Sequence, residues 1–218
     1  MPSVSRTFVP MEEDKNLTYN YKTKQMKIKI AILALFFSTI TTINAQDNTI
    51  PKSTAGIKGG YTLAAVSFDG DGETGQRHAF HVGVYGESFI SESFAIQPEL
   101  LYSQQGYKIT NSSGTFTQKL DYINLPVMLK AYLSKNFFLE TGPQIGLAIS
   151  HKEEYDGLFS SSQEYDPNSF DWGFNFGGGF KTNSGISLAA RYHLGLGDLY
   201  DEGKAQNRVW QFSIGFDL

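Results

Sequence analysis

Phe170-Asp171-Trp172-Gly173-Phe174-Asn175-Phe176-Gly177-Gly178-Gly179-Phe180 is the stretch whose reading decides the fold. Taken alternately, it separates Phe170, Trp172, Phe174, Phe176, Gly178 and Phe180 from Asp171, Gly173, Asn175, Gly177 and Gly179. Only a strand sorts residues with a period of two, because successive side chains point to opposite faces. One face is large, apolar and aromatic. The other is small and polar, with room for neighbouring side chains to reach across it. A membrane-spanning strand has this cross-section, with its greasy side to lipid and its polar side filling a narrow barrel. A sandwich strand of a soluble protein, with the aromatics turned inward, has it too. The rest of the chain separates the two.

The 218 residues are 40% hydrophobic and 14% aromatic, with 22 Gly and only 18% charged residues, which suits an all-β shell better than a helical bundle. With no Cys, disulfide scaffolds, thiolate metal sites and cysteine nucleophiles are excluded. Met26-Lys27-Ile28-Lys29, the apolar run Ile30–Phe37 and the polar run ending in small Ala45 read as a signal peptide over 26–45, cleaved before Gln46. The apolar run is about half of the roughly 20 residues that a spanning helix needs. Residues 1–25 are then an upstream extension, 46–54 a periplasmic leader and 55–218 the folded domain. Without residues 1–45, which hold six of the 18 Lys/Arg and three of the 22 Asp/Glu, 12 bases face 19 acids. An acidic domain of this kind is not expected to bind nucleic acid. After the signal no run of 18 or more apolar residues follows, so a membrane-spanning fold would have to be a barrel.

Alternation recurs from Ala55 to Ser67, through Phe80–Glu87, Ile96–Gln105, Tyr122–Leu133, Leu139–Ile149 and Phe170–Phe180, then Ile186–Leu196 and Val209–Leu218. Pro98 inside the third of these predicts a bulge or a local gap in the ladder. The connections alternate long and short. The long ones are Asp69–Gly75, a polar loop over Lys108–Lys119, a loop over His151–Asn168, and Gly197–Asn207. Eight strands with short turns at one end and long loops at the other predict an all-β, eight-stranded antiparallel up-and-down transmembrane β-barrel.

The apolar parity carries no charge in the middle of any strand. It holds Leu125, Val127, Leu129, Trp172, Phe174, Phe176, Leu188, Phe212, Ile214 and Phe216, which are expected to face lipid. The opposite parity holds Lys58, Glu87, Glu99, Lys130, Glu140, Asp171 and Arg191, a mixed set able to pair across a closed interior as a structural charge network. A lipocalin-like ligand-binding cup would reverse this arrangement, with the apolar side chains inside and the charges in water.

Gly56-Ile57-Lys58-Gly59-Gly60, Gln97-Pro98-Glu99-Leu100-Leu101-Tyr102-Ser103-Gln104-Gln105-Gly106, Leu120-Asp121-Tyr122-Ile123-Asn124-Leu125-Pro126, Glu140-Thr141-Gly142-Pro143-Gln144 and Ala190-Arg191-Tyr192 resemble the PorT-like outer-membrane β-barrel family abundant in Bacteroidetes. The resemblance runs over roughly Ala55–Leu218. It implies an outer-membrane barrel of OmpX or OmpA size, usually labelled porin-like, and little about activity.

Candidate chemistry is sparse. Asp69-Gly70-Asp71-Gly72-Glu73 lacks the spacing and terminal Glu of a calcium-binding EF-hand loop and reads as a solvated acidic loop. His78 and His81 point to opposite faces of one strand, and His193 reads as a hydrogen-bonded interior residue. No His is expected on the lipid parity to support a hydrolytic set, so no catalytic residue, metal site or cofactor is predicted. Eight strands leave an interior just wide enough for side chains. The expectation is therefore a filled barrel with a structural or surface-interaction role. Its partners would be outer-membrane lipid, lipopolysaccharide and the outer-membrane assembly machinery, and the barrel would be monomeric. A soluble lipocalin-like carrier and a small-solute porin are the alternatives.

Overall fold

The computed structural model describes residues 50–68, 72–111, 114–157, 161–163, 170–198 and 205–218. The expected upstream extension and signal peptide, and residues 46–49 of the expected leader, lie outside them. The described residues form ten strands: β1 (Thr54–Phe68), β2 (Gly72–Glu73), β3 (Gly75–Phe89), β4 (Phe94–Asn111), β5 (Gly114–Tyr132), β6 (Phe137–Gly157), β7 (Ser161–Gln163), β8 (Phe170–Lys181), β9 (Ile186–Gly195) and β10 (Ala205–Asp217). Short β2 and β7 pair only with β1 and β6. The other eight run antiparallel to their chain neighbours, and β1 pairs with β10 from Gly56↔Asp217 to Phe68↔Ala205, closing the sheet on itself. Closure removes both edges, so no row of strand amides is left unpaired.

Pro98 does not shift the register. The β3–β4 pairing holds from Tyr85↔Glu99 to Ser88↔Ile96 with an open interval between, so the missing proline amide leaves a gap in the ladder. Real register shifts lie higher, between Gln76 and His81 on β3 and between Asp121 and Tyr122 on β5.

The connections at one end are tight: residues 90–93, 133–136 and 182–185. At the other end the structure corrects the expected polar loop over Lys108–Lys119. There β4 and β5 pair without interruption from Gln105↔Leu120 to Asn111↔Gly114, as one tall hairpin. Tyr107, Ile109 and Phe116 continue the period of two through what composition marks as polar. Similarly, β6 extends to Gly157, well into the expected loop from His151. Tyr107, Leu120 and Tyr122 pack with Val66 and Ala205 into an apolar cluster over that end of the barrel.

Candidate functional site: the lumen

Alternation turns one side chain in two toward the barrel axis, and the buried residues are therefore largely polar. Lys58, Glu87, Glu99, Lys130, Glu140, Asp171 and Arg191 are each at most 7% exposed. The opposite parity faces out: Phe174, Phe176 and Leu188 are 42%, 50% and 58% exposed. Leu129, Trp172, Phe212, Ile214 and Phe216 are exposed on the same surface, and Leu125 and Val127 are half-buried there. This is the reverse of a lipocalin-like cup.

Six of the seven inward charges join one network. Near the tight turns, Glu87 accepts hydrogen bonds from Lys130 (2.9 Å), from the Tyr132 hydroxyl (2.6 Å) and from Lys181. Lys181 also pairs with Asp217 at 2.9 Å, and Asp217 accepts from the Tyr85 hydroxyl at 2.7 Å. One level further in, Arg191 grips Glu99 with both terminal nitrogens (2.9 and 2.8 Å) and Glu140 through Nε (2.8 Å). Glu99 also accepts from Lys58 (3.2 Å) and from the Gln97 amide (2.7 Å). Gln97 links the levels by accepting from Lys130 at 2.9 Å. Removing ions from water costs several kcal/mol per ion, and mutual attraction offsets this only when the remaining lone pairs are also satisfied. Here Glu87 and Glu99 each accept from three residues and Asp217 pairs with two, while Glu140 is held by Arg191.

Asp171 stands apart, toward the long-hairpin end, where it accepts from Asn207 at 2.9 Å. Around it, His193 Nδ1 meets Asn175 Oδ1 at 3.0 Å, and Asn175 donates to Gln144 at 3.1 Å. His81 is held between Thr62 (3.0 Å) and Ser213 (2.8 Å). Against expectation, one histidine does lie on the outer parity: His78 meets the Tyr61 hydroxyl there. The acidic Asp69–Gly70–Asp71 stretch lies outside the described residues.

Lys181, Asp217, Tyr85 and Tyr132 were not singled out from sequence. Asp217 lies on the inward parity, and continuing the alternation of β8 one step beyond Phe180 puts Lys181 there as well. Glycine makes room for the network: a Cβ on Gly177 would stand 3.2 Å from Glu140 Oε1 and 2.5 Å from the Ala190 carbonyl oxygen.

The gap left among Lys58, Gln97, Lys130, Glu140 and Lys181 is about 10 Å³, no more than one water needs. Lys130 Nζ also sits 3.9 Å from the centre of the Phe138 ring. The network thus occupies the cross-section.

A closed antiparallel ring with apolar side chains outside and paired ions within meets the bilayer with no open edge and no charge among the outward residues at the middle of its strands. That defines an outer-membrane β-barrel. The family described as outer membrane protein beta-barrel domain matches residues 44–201, and the chain belongs to it. The protein is a component of the cell outer membrane. No curated protein sequence matches the chain. Among solved structures, it is similar to Neisserial surface protein A (11% identity, 77% of this chain and 100% of that one, TM-score 0.51). It is also similar to Ail of Yersinia pestis (14%, 77% and 100%, TM-score 0.49) and to OprG of Pseudomonas aeruginosa (13%, 79% and 99%, TM-score 0.30). At these identities the likeness concerns the fold alone.

Proposed function

We propose that this chain is a non-conducting, non-enzymatic barrel of the PorT-like kind found in Bacteroidetes, acting in envelope integrity or in surface contacts made by its tall hairpins. The observation that carries this reading is the interlocked lumen, in which the ion pairs leave a gap of only about 10 Å³. A transport role needs a continuous polar path. A side-chain-filled barrel instead offers rigidity and a platform for its loops. In this reading Leu125, Val127, Leu129, Trp172, Phe174, Phe176, Leu188, Phe212, Ile214 and Phe216 contact lipid, and the charge network of the lumen is structural. The tight turns and both ends of the barrel domain face the periplasm, while the long hairpins meet lipopolysaccharide and the exterior. The assembly machinery inserts the chain as a monomer.

The test is planar-bilayer recording of purified, heat-modifiable protein. The reading expects no large, stable conductance. Steady open channels in most reconstituted molecules would contradict it and favour a small-solute porin.

A further inference from the structure

Of the seven inward charges read from the sequence, all but one meet a Lys, Arg, Asp or Glu of opposite sign. Lys58 and Arg191 face Glu99 and Glu140, and Lys130 and Lys181 face Glu87 and Asp217. Asp171, 4% exposed, has no Lys or Arg within ion-pair distance among the described residues. Its only cationic neighbour is His193, whose Nε2 lies 3.6 Å from Asp171 Oδ2.

The orientation of that imidazole follows from its other nitrogen. Asn175 donates through Nδ2 to Gln144, so its Oδ1 is the acceptor for His193 Nδ1–H. In a neutral ring Nε2 then carries the lone pair. A lone pair aimed at a carboxylate is repulsive unless a cation stands between them. Asp171 Oδ1, His193 Nε2 and Asn207 Oδ1 are all buried with no hydrogen-bond partner. Asn207 is fully buried and touches Asp171 through its amide nitrogen, and His193 is 2% exposed.

Adjacent strands β8, β9 and β10 supply the three residues, and glycines keep space around them. A Cβ on Gly173 would stand 2.9 Å from His193 Cε1, and one on Gly197 would stand 3.1 Å from Asp171 Oδ1. Two donors each about 2.1 Å from a tetrahedral ion are about 3.4 Å apart, close to the observed separation. Among the described residues no three His, Cys, Asp or Glu side chains converge on one point; the third donor here is an amide, and the three residues follow no motif spacing.

We propose that Asp171, His193 and Asn207 form a binding site for one divalent transition cation of the zinc class, with water completing the coordination. Asn175, itself held by Gln144, accepts from His193 Nδ1 and so turns Nε2 toward the cation, as hydrogen bonds to the far ring nitrogen orient metal-binding histidines elsewhere. The site lies at the long-hairpin end of the lumen and would fill from outside the cell.

Equilibrium dialysis of the full chain in detergent micelles against Zn²⁺ at neutral pH tests this. One zinc per chain is expected. Asp171→Asn and His193→Gln should abolish it with heat-modifiable migration retained, and Asn175→Ala should weaken it by about 10- to 100-fold. Absence of binding overturns the proposal, and so does zinc held equally by either ligand variant. Should the variants not fold, nitrogen NMR of the wild-type chain decides. A zinc-induced shift at His193 Nε2 supports the site. Protons on both ring nitrogens in the presence of zinc would show an ordinary histidinium–aspartate pair instead and overturn it.

Discussion

Arg191 on β9 and Glu99 on β4 meet head-on across the barrel axis, with two parallel hydrogen bonds of 2.8 and 2.9 Å, although neither strand neighbours the other in the sheet. The contact spans the ring instead of following it. A bidentate Arg–carboxylate pair fixes distance and angle together, so this one braces opposite walls. Lys58 and Glu140 extend the brace to β1 and β6.

Glu99→Gln removes one charge from a balanced set of two bases and two acids, leaving a buried cation uncompensated. The expected loss is about 3–5 kcal/mol of unfolding free energy. Glu99→Gln combined with Lys58→Met restores neutrality and should be less destabilised than the single variant. Reversible urea unfolding from lipid vesicles, followed by tryptophan fluorescence, measures both.

The outer face should punish charge according to depth. Phe176→Arg, at the middle of β8, is expected to cost about 2–4 kcal/mol, and Leu133→Arg, at a tight turn, about 0–1 kcal/mol. The same unfolding measurement compares them. Equal costs would mean that these positions do not differ in depth.

Gly177→Val should destabilise by about 1–3 kcal/mol through overpacking against Glu140 and the β9 backbone. Gly59→Ala, whose nearest neighbour would lie at 3.3 Å on the outer face, should cost less. The loss of the heat-modified gel form with temperature reads the difference.

On the tall β5–β6 extension, beyond the spanning part, the hydrogen bond from Lys119 holds the Glu154 carboxyl below its ordinary value of 4.5. A depressed folded-state value means a contribution that is complete above about pH 4.5 and lost as pH falls through the lower value. Amide exchange at the hairpin tip should therefore accelerate on acidification, and Glu154→Gln should remove that part of the dependence.

Much of this was legible from the chain because a strand encodes its two faces in consecutive letters. Trp172 against Asp171, and Leu188 against Arg191, already separate the outer face from the lumen. Pairing across the ring was not legible, since Glu99 meets Arg191 through closure and stagger that alternation does not specify. The β4–β5 hairpin was hidden because Lys108, Thr110, Thr115 and Lys119 dominate its composition, although Asn111-Ser112-Ser113-Gly114 is an adequate turn signal. Gly106, at φ +115°, accommodates a close approach to the Gln118 carbonyl oxygen that only the paired strands reveal. Lys181 was missed because it stands one residue past the expected strand, and Asp217, though on the inward parity, lies at a strand end where alternation does not show whether a charge pairs or meets water. Asp171, His193 and Asn207 are separated along the chain by spacings that match no metal motif.

The central claim is that oil lies outside this cylinder and ions lie inside it, and the chain's lack of cysteine permits single spin labels on a clean background. Labels at Leu125, Phe174, Leu188 and Phe212, compared with labels at Asn124, Asn175, Ala189 and Gln211, should alternate in vesicles. The first set should be reached by oxygen dissolved in lipid, and the second by neither oxygen nor a water-soluble nickel complex. Nickel access at the first set along the whole strand, with oxygen access at the second, would contradict the account.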